Sequence, residues 1–295
     1  MSEAQVTEDL PPFSVLLPVY IGDRADHFSR ALRSVGADQS LPADEILVVC
    51  DGPVRPEVDQ ILSEAEAGQR PDLVAEVPLR VHRLPVNRGL TEALNHGLAQ
   101  CAHEVVARAD ADDISVPERF ALQIPMIVKG FDLVGAGIAE FDTDETRPGL
   151  VRRMPLGQEE IREVVTYRDP FNHPTVVYRR SAVDRVGGYE HVDHMEDYWL
   201  FARMVAAGVP CANHPEALVL YRVGAGAYSR RGGFAMLRSE LALQRRMRAR
   251  RITTVSQCVR NVAVRGVYRL IPSGLRRALY HAVGKGRWFR QAPHA

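Results

Sequence analysis

The chain has 295 residues, 46% hydrophobic and 25% charged, which is the composition of an ordinary globular protein with a sizeable core. No stretch approaches the ~18 uncharged apolar residues of a membrane span, and residues 1–12 carry no apolar run of the kind a secretory signal needs. The formal net charge of zero conceals a division: residues 230–295 hold 16 of the 37 basic residues and a single acid, Glu240.

Strands and helices alternate along the chain. Residues 13–17, Phe13-Ser14-Val15-Leu16-Leu17, read as a first strand that ends at Pro18-Val19-Tyr20, and Phe28, Leu32 and Val35 follow at helical spacing. Residues 45–50 read as a second buried strand, closed by the turn signal Asp51-Gly52-Pro53. A helix marked by Val58, Ile61 and Leu62 leads to a third strand at 79–84. Residues 89–101 then place Leu90, Leu94 and Leu98 on one helical face. The fourth strand, Val105-Val106-Ala107-Arg108-Ala109, breaks into acid: Asp110-Ala111-Asp112-Asp113. Ser115-Val116-Pro117-Glu118 has the form of a capping box launching a helix through Phe120 and Ile124. Residues 132–141 and 172–178 read as further strands, 196–207 as a helix stopped by Gly208, and 210–221 as one or two strands. Repeated βα units of this size predict a largely parallel, doubly wound sheet.

Ligands of such sheets bind beyond the C-terminal ends of the strands, where the acid cluster falls. Three carboxylates within four residues repel one another, so a cation or a sugar nucleotide is expected among them. If strand geometry continues, Asp110 and Asp112 point the same way and can share one ligand. Hard oxygen ligands suit Mg²⁺ or Mn²⁺ carrying a diphosphate. The cysteines Cys50, Cys101, Cys211 and Cys258 have no metal-ligand spacing and read as buried or free thiols of a reducing cytosol.

The set of Pro18-Val19-Tyr20, Asp51-Gly52, Asn87-Arg88-Gly89-Leu90, Asp110-Ala111-Asp112-Asp113 with Pro117 and Arg119-Phe120, and Glu196-Asp197 resembles family 2 glycosyltransferases, over about residues 13–225. The resemblance implies an α/β GT-A fold, a nucleotide-sugar donor, Mg²⁺ or Mn²⁺, and inversion at the anomeric carbon. It implies that Pro18, Val19 and Tyr20 wall the nucleoside and that Asp51 accepts from the base. Arg88 meets base or phosphate, Asp110 and Ala111 lie on the ribose side, and Asp112 holds the metal. Asp113 either joins them or stabilises the start of the next helix. Asp197 is the implied catalytic base, oriented by Glu196, although a helix dipole at this position depresses an acid's pKa. His173 is a candidate donor to diphosphate or acceptor. Many relatives carry a histidine after a Tyr-Arg pair; here Tyr221-Arg222 runs into Val223-Gly224, so metal coordination rests on Asp112 with phosphates and water, or recruits His173 or His194.

The expected organisation is a flexible N-terminus (1–12), a GT-A domain (13–229) and a basic amphipathic helical extension (230–295). Arg222, Arg230 and Arg231 are further candidates, the last two in a mobile basic loop over the diphosphate at 224–233. In the extension Val255, Val259, Val262, Gly266 and Leu270 share one helical face, with Arg265 and Arg269 off it. Two readings stay open: an anionic membrane surface, fitting a saccharide or polyprenyl-lipid-linked acceptor and a peripheral place at the inner face of the cell membrane, or a helical cap on the acidic catalytic domain. No nucleic-acid recognition motif is present. The rival functions are a catalytically silent nucleotide-sugar binding module, a calcium-binding surface domain and a sugar-phosphate nucleotidyltransferase. The last wants a Gly-rich basic loop where Pro18-Val19-Tyr20-Ile21-Gly22-Asp23 stands.

Overall fold

The computed structural model describes residues 10–223, 233–270 and 289–291. The first half is a run of βα units: β1 (Phe13–Val19), α1 (Ala25–Val35), β2 (Glu45–Cys50), α2 (Pro56–Glu66), α3 (Pro71–Val74), β3 (Leu79–Arg83), α4 (Leu90–Gln100) and β4 (Val105–Arg108). These four strands pair in parallel in the order β3-β2-β1-β4. The order reverses beside β1, and the loops after β1, β2 and β4 therefore open onto one crevice.

Beyond β4 the sheet turns mixed. The short β5 (Ile114–Ser115), α5 (Arg119–Val128), β6 (Leu133–Phe141), β7 (Leu150–Arg152) and α6 (Gln158–Val164) come next. A 3-10 turn at His173–Thr175 then leads into β8 (Val177–Arg179), followed by α7 (Arg180–Asp184), α8 (Glu196–Ala206) and β9 (Cys211–Arg222). β8 lies antiparallel between β4 and β6, β7 lies antiparallel to β6, and β9 runs parallel to β6 while pairing antiparallel with β5. The largely parallel sheet that was expected is thus a mixed one, parallel among β1 to β4 and between β6 and β9 and antiparallel elsewhere. β8 enters from the crevice side, so the residues preceding it sit at the rim where β4 ends: the amide of Arg108 donates to the carbonyl of Val176 at 2.9 Å. The expected strand over 172–178 is correspondingly shorter and starts with a turn.

Alternation in β1 explains the layers. Every residue of β1 is buried. Val15, Leu17 and Val19 face a cluster with Phe28, Leu32, Phe120 and Ile124, whereas Leu16 faces Leu94, Leu98, Trp199 and Leu200. A strand covered on both faces needs no polar alternation, which is why it reads as a continuous apolar run.

The capping box is not realised. Ser115 belongs to β5 and pairs with Val219, α5 begins only at Arg119, and the Ser115 hydroxyl accepts instead from Arg119 NH1 at 2.9 Å. Strand pairing took the residue that a helix start would have used.

The basic extension contributes α9 (Phe234–Ala249), α10 (Val255–Leu270) and β10 (Phe289–Gln291), the last antiparallel to β7. Met236, Leu243 and Met247 of α9 are buried in the same cluster as Trp199. α10 does not bury the whole of its expected face. Val255 and Val259 are 60% and 64% exposed, while buried Asn261 donates to the carbonyl of Thr166 at 2.7 Å and Arg265 pairs with buried Glu240 at 2.9 Å. The helix is anchored by polar groups of its other flank, and Gly266 of the expected face packs closely against Leu237 of α9.

Candidate active site

The crevice is built from strand ends. After β2, the Asp51 carboxylate accepts the amides of Arg88 (2.7 Å) and Gly89 (2.9 Å), and Asn87 Nδ2 donates to the Asp51 carbonyl at 3.1 Å. Asp51 is therefore the clamp that folds the 87–89 loop over the end of β2. Gly52 is required here: its φ is +79°, and a Cβ would stand 2.5 Å from the Asn87 amide nitrogen. Arg88 is exposed on that loop.

After β1, Pro18 and Val19 are buried in the strand and Tyr20 is 48% exposed. The Tyr20 amide donates to Asp23 Oδ2 at 2.8 Å, closing a turn. Asp23 is an acid that sequence reading passed over. Burial, and then the charges of Asp112 and Asp110, lift it to about 7 against the pull of the Tyr20 amide. It faces the acid loop from the far side of the crevice.

The acid loop itself departs from strand geometry, because β4 ends at Arg108 and the alternation that would align Asp110 with Asp112 stops there. Asp110 is instead held by the Arg108 guanidinium, NH1 to Oδ2 at 2.7 Å, with a second contact from NH2 to Oδ1. Ala111 is buried. The Asp112 side chain reaches solvent, yet crowding by surrounding protein and the charge of Asp110 raise it to about 6. Asp113 is buried, and burial together with its two acidic neighbours holds it well above the usual carboxylate range. Its Oδ1 accepts the amide of Arg222 at 2.9 Å, so it ties the loop to β9 and does not cap the following helix. Arg222 adds Nε to the Asp112 carbonyl at 3.0 Å and lies over the Phe141 ring at 4.4 Å.

A divalent cation suits this loop on chemical grounds. The charge of Asp110 raises the pKa of Asp112, both raise that of Asp113, and buried Asp113 Oδ2 has no hydrogen-bond partner among the described residues. Among the described residues no three His, Cys, Asp or Glu side chains converge as a metal cage. A metal here would draw on Asp112 together with ligand oxygens.

Opposite the loop, α8 begins with Glu196 and Asp197. Asp197 Oδ1 accepts the amide of Tyr198 at 2.7 Å, and Oδ2 lies 4.0 Å from His173 Nδ1. The dipole argument predicts a depressed acid. Burial first, and then Glu196, raise Asp197 to about 6 despite the Tyr198 amide and Arg108. Glu196 is raised as well, by burial. His194, just before the helix, has φ +60°, a strained backbone that aims the first turn.

Arg108 connects the two sides. It is 2% exposed, it lowers the pKa of Asp112, Asp113, Glu196 and Asp197, and it helps keep His173 neutral. Asp169 lies against Asp197 and is pushed well above the usual range by burial and by that charge. Asp23, Arg108 and Asp169 carry no motif. Only an acid just past a strand end and an arginine inside an apolar strand hinted at the first two. Arg230 and Arg231, with the rest of the expected loop at 224–232, lie outside the described residues, as do 1–9 and 271–288 of the termini.

Comparisons with known proteins bear on the family and the fold. The family model described as "Glycosyl transferase family 2" matches residues 14–187. The amylovoran biosynthesis glycosyltransferase AmsE of Erwinia amylovora is 36% identical over 274 residues, 93% of this chain and 100% of its own. An Escherichia coli UDP-Gal:alpha-D-GlcNAc-diphosphoundecaprenol beta-1,3-galactosyltransferase is 31% identical over 280 residues, 94% of this chain and 98% of its own. Among solved structures, the mannosyltransferase PcManGT from Pyrobaculum calidifontis, in complex with GDP-Man and Mn2+, superposes with a TM-score of 0.59 at 16% identity, covering 94% of this chain and 81% of its own. That likeness shows a shared GT-A fold.

Proposed function

This chain belongs to glycosyl transferase family 2, and from that premise we propose that it is a metal-dependent, inverting glycosyltransferase of polysaccharide or glycolipid biosynthesis. In this reading it moves a sugar from a UDP-sugar to a hydroxyl of a lipid-linked saccharide. The observation that carries the mechanism is the convergence of two acidic groups, the 110–113 loop and the 196–197 pair, on the buried guanidinium of Arg108.

The nucleoside lies along Tyr20 and the Asp51 clamp, with Asp110 at the ribose and Arg88 and Arg222 beside the phosphates. Asp112 would hold a divalent cation against the diphosphate. When bound, that ion supplies Lewis-acid stabilisation of the departing nucleoside diphosphate. Asp197, with a pKa of about 6, is ionised at neutral pH and still basic enough to take a proton. The acceptor oxygen attacks the anomeric carbon, the bond from that carbon to the diphosphate breaks, and the hydroxyl proton passes to Asp197. One displacement inverts the configuration and needs no protein nucleophile. The undecaprenol-linked acceptor of the E. coli relative supports a lipid-linked acceptor here. Among the described residues no helix is long and apolar enough to cross a membrane, so contact with such an acceptor is read as peripheral, through the basic segment 230–295.

The test is a donor screen with UDP-galactose, UDP-GlcNAc and GDP-mannose, each with Mg²⁺, with Mn²⁺ and in excess EDTA. A synthetic GlcNAc-diphosphoryl lipid serves as acceptor. Metal-dependent transfer from a UDP-sugar, with the product's anomeric configuration opposite to the donor's, is the expected result. Full activity in EDTA, a preference for GDP-mannose, or retained configuration each removes the corresponding part of the proposal.

A further inference from the structure

Behind Asp197 lies a line of buried polar groups that the mechanism above leaves unused. His173 Nε2 is 2.9 Å from the Tyr189 hydroxyl, which is 3.4 Å from the hydroxyl of Tyr178. All three side chains are buried. The other imidazole nitrogen, Nδ1, stands 4.0 Å from Asp197 Oδ2. That separation is too long for a direct hydrogen bond, yet one oxygen atom can touch both groups. Because Asp197 Oδ1 already accepts the Tyr198 amide, Oδ2 is the carboxylate oxygen on the His173 side.

The proton on His173 can be placed by elimination. Burial and the nearby Arg108 charge drive the imidazole to its neutral form, which has one N–H. The Tyr189 hydroxyl can give its proton to Nε2, and the carboxylate favours the N–H on Nδ1. Tyr189 is itself well fixed. Its amide donates to Asn95 Oδ1 at 2.8 Å, and its carbonyl accepts from Asn95 Nδ2 at 2.9 Å. Gly187 and Gly188, with φ of 89° and 71°, bring the chain into that position.

We propose that His173 Nδ1–H and Asp197 Oδ2 together seat the acceptor hydroxyl, with Tyr189 holding the imidazole in the required tautomer. This rests on the reading of Asp197 as the base. An oxygen about 2.8 Å from each group subtends about 90° between them, close to what a tetrahedral hydroxyl accepts. The hydroxyl donates its proton toward Asp197 and accepts from His173. It keeps one lone pair for the anomeric carbon. As the new C–O bond forms and the bond to the diphosphate breaks, the hydroxyl proton moves to Asp197. His173 keeps its own proton throughout, so it orients the nucleophile and is neither a second base nor a metal ligand.

The first measurement needs no substrate. Nitrogen-15 imidazole spectra of the full-length protein, with the His173 signal identified by its loss in His173→Gln, should show a neutral Nδ1–H tautomer across about pH 5.5 to 8. Tyr189→Phe should move population to the Nε2–H form. A protonated His173, or an Nε2–H tautomer in the unaltered protein, overturns the inference. The second measurement uses UDP-galactose and the GlcNAc-diphosphoryl lipid. His173→Gln and Tyr189→Phe should raise the acceptor KM and lower kcat by about tenfold, with the donor KM within about twofold. Turnover surviving in Asp197→Asn defeats the base assignment beneath this inference. Turnover lost there, but undiminished in His173→Gln and Tyr189→Phe, defeats the inference alone.

Discussion

Asp197 stands in the first turn of α8, where a helix dipole favours the ionised acid, and yet burial and Glu196 raise it to about 6. The functional sign follows from which form is active. The carboxylate must be ionised to accept a proton, so transfer should be full above about pH 7 and fall as pH drops through 6. A pH–rate profile of kcat measures the limb, and Asp197→Asn should abolish transfer while leaving nucleotide-sugar affinity within about threefold. Asp23 gives a stability counterpart. Its folded pKa, about 7, lies above the ordinary 3.8, so the folded state binds the proton more tightly than the unfolded one. That proton stabilises the fold as pH falls from about 8 toward 5, and the gain is lost as pH rises through 7. Thermal midpoints across this range should rise toward acid in the unaltered protein and be flatter in Asp23→Asn. Asp112 and Asp113 should separate by readout. Asp112→Asn removes activity with little change in midpoint, whereas Asp113→Ala removes the acceptor of the Arg222 amide and lowers the midpoint.

At the scale of elements, the loop after β2 and the start of α4 act as one unit because the Asp51 carboxylate spans them. Gly52 is the hinge of that unit. Gly52→Ala places a Cβ against the Asn87 amide in a left-handed backbone and should cost about 1–3 kcal/mol, with a raised donor KM. Chemical denaturation and donor titration measure the two effects. The acid loop, β5 and β9 form a second unit, stitched by Ser115–Val219 pairing and by Arg222. The capping-box pattern at Ser115 was outweighed here because a strand partner far along the chain was available. Local sequence does not record such a partner.

For the whole molecule, the basic segment is divided in its role. α9 completes the core with Met236, Leu243 and Met247, so a chain ending at Gly233 should unfold or aggregate rather than persist as a catalytic domain. α10 leaves Val255 and Val259 exposed, on a segment whose charge is overwhelmingly positive. Substituting both valines with aspartate should alter stability by no more than about 0.5 kcal/mol. It should also weaken flotation with vesicles containing anionic lipid, if this face meets the membrane. Equal flotation of both proteins would return the segment to the role of a cap.

Several features were legible in the residues themselves. The buried strands stand out as continuous β-branched runs, and acids at the ends of parallel strands mark the crevice. Asp51, Asp110, Asp112 and Asp197 could be named as candidates because each sits at a strand end or helix start within a recognisable order. Asp23 and Arg108 left only the hint of an acid just past a strand end and an arginine inside an apolar strand, and Asp169 and Tyr189 left none. Their meaning comes from pairing between distant segments: β8 against β4 brings His173 to the rim, and Asn95 of α4 fixes Tyr189 behind it. The tertiary structure also decided the charge states. Helix position predicts a depressed Asp197, and only the burial created by packing α8 against the sheet reverses the sign. Sequence determines which groups are available and on which element each one stands. Which of them share a dry, crowded volume, and hence which protons they hold, is set by contacts that exist only once the chain has closed on itself.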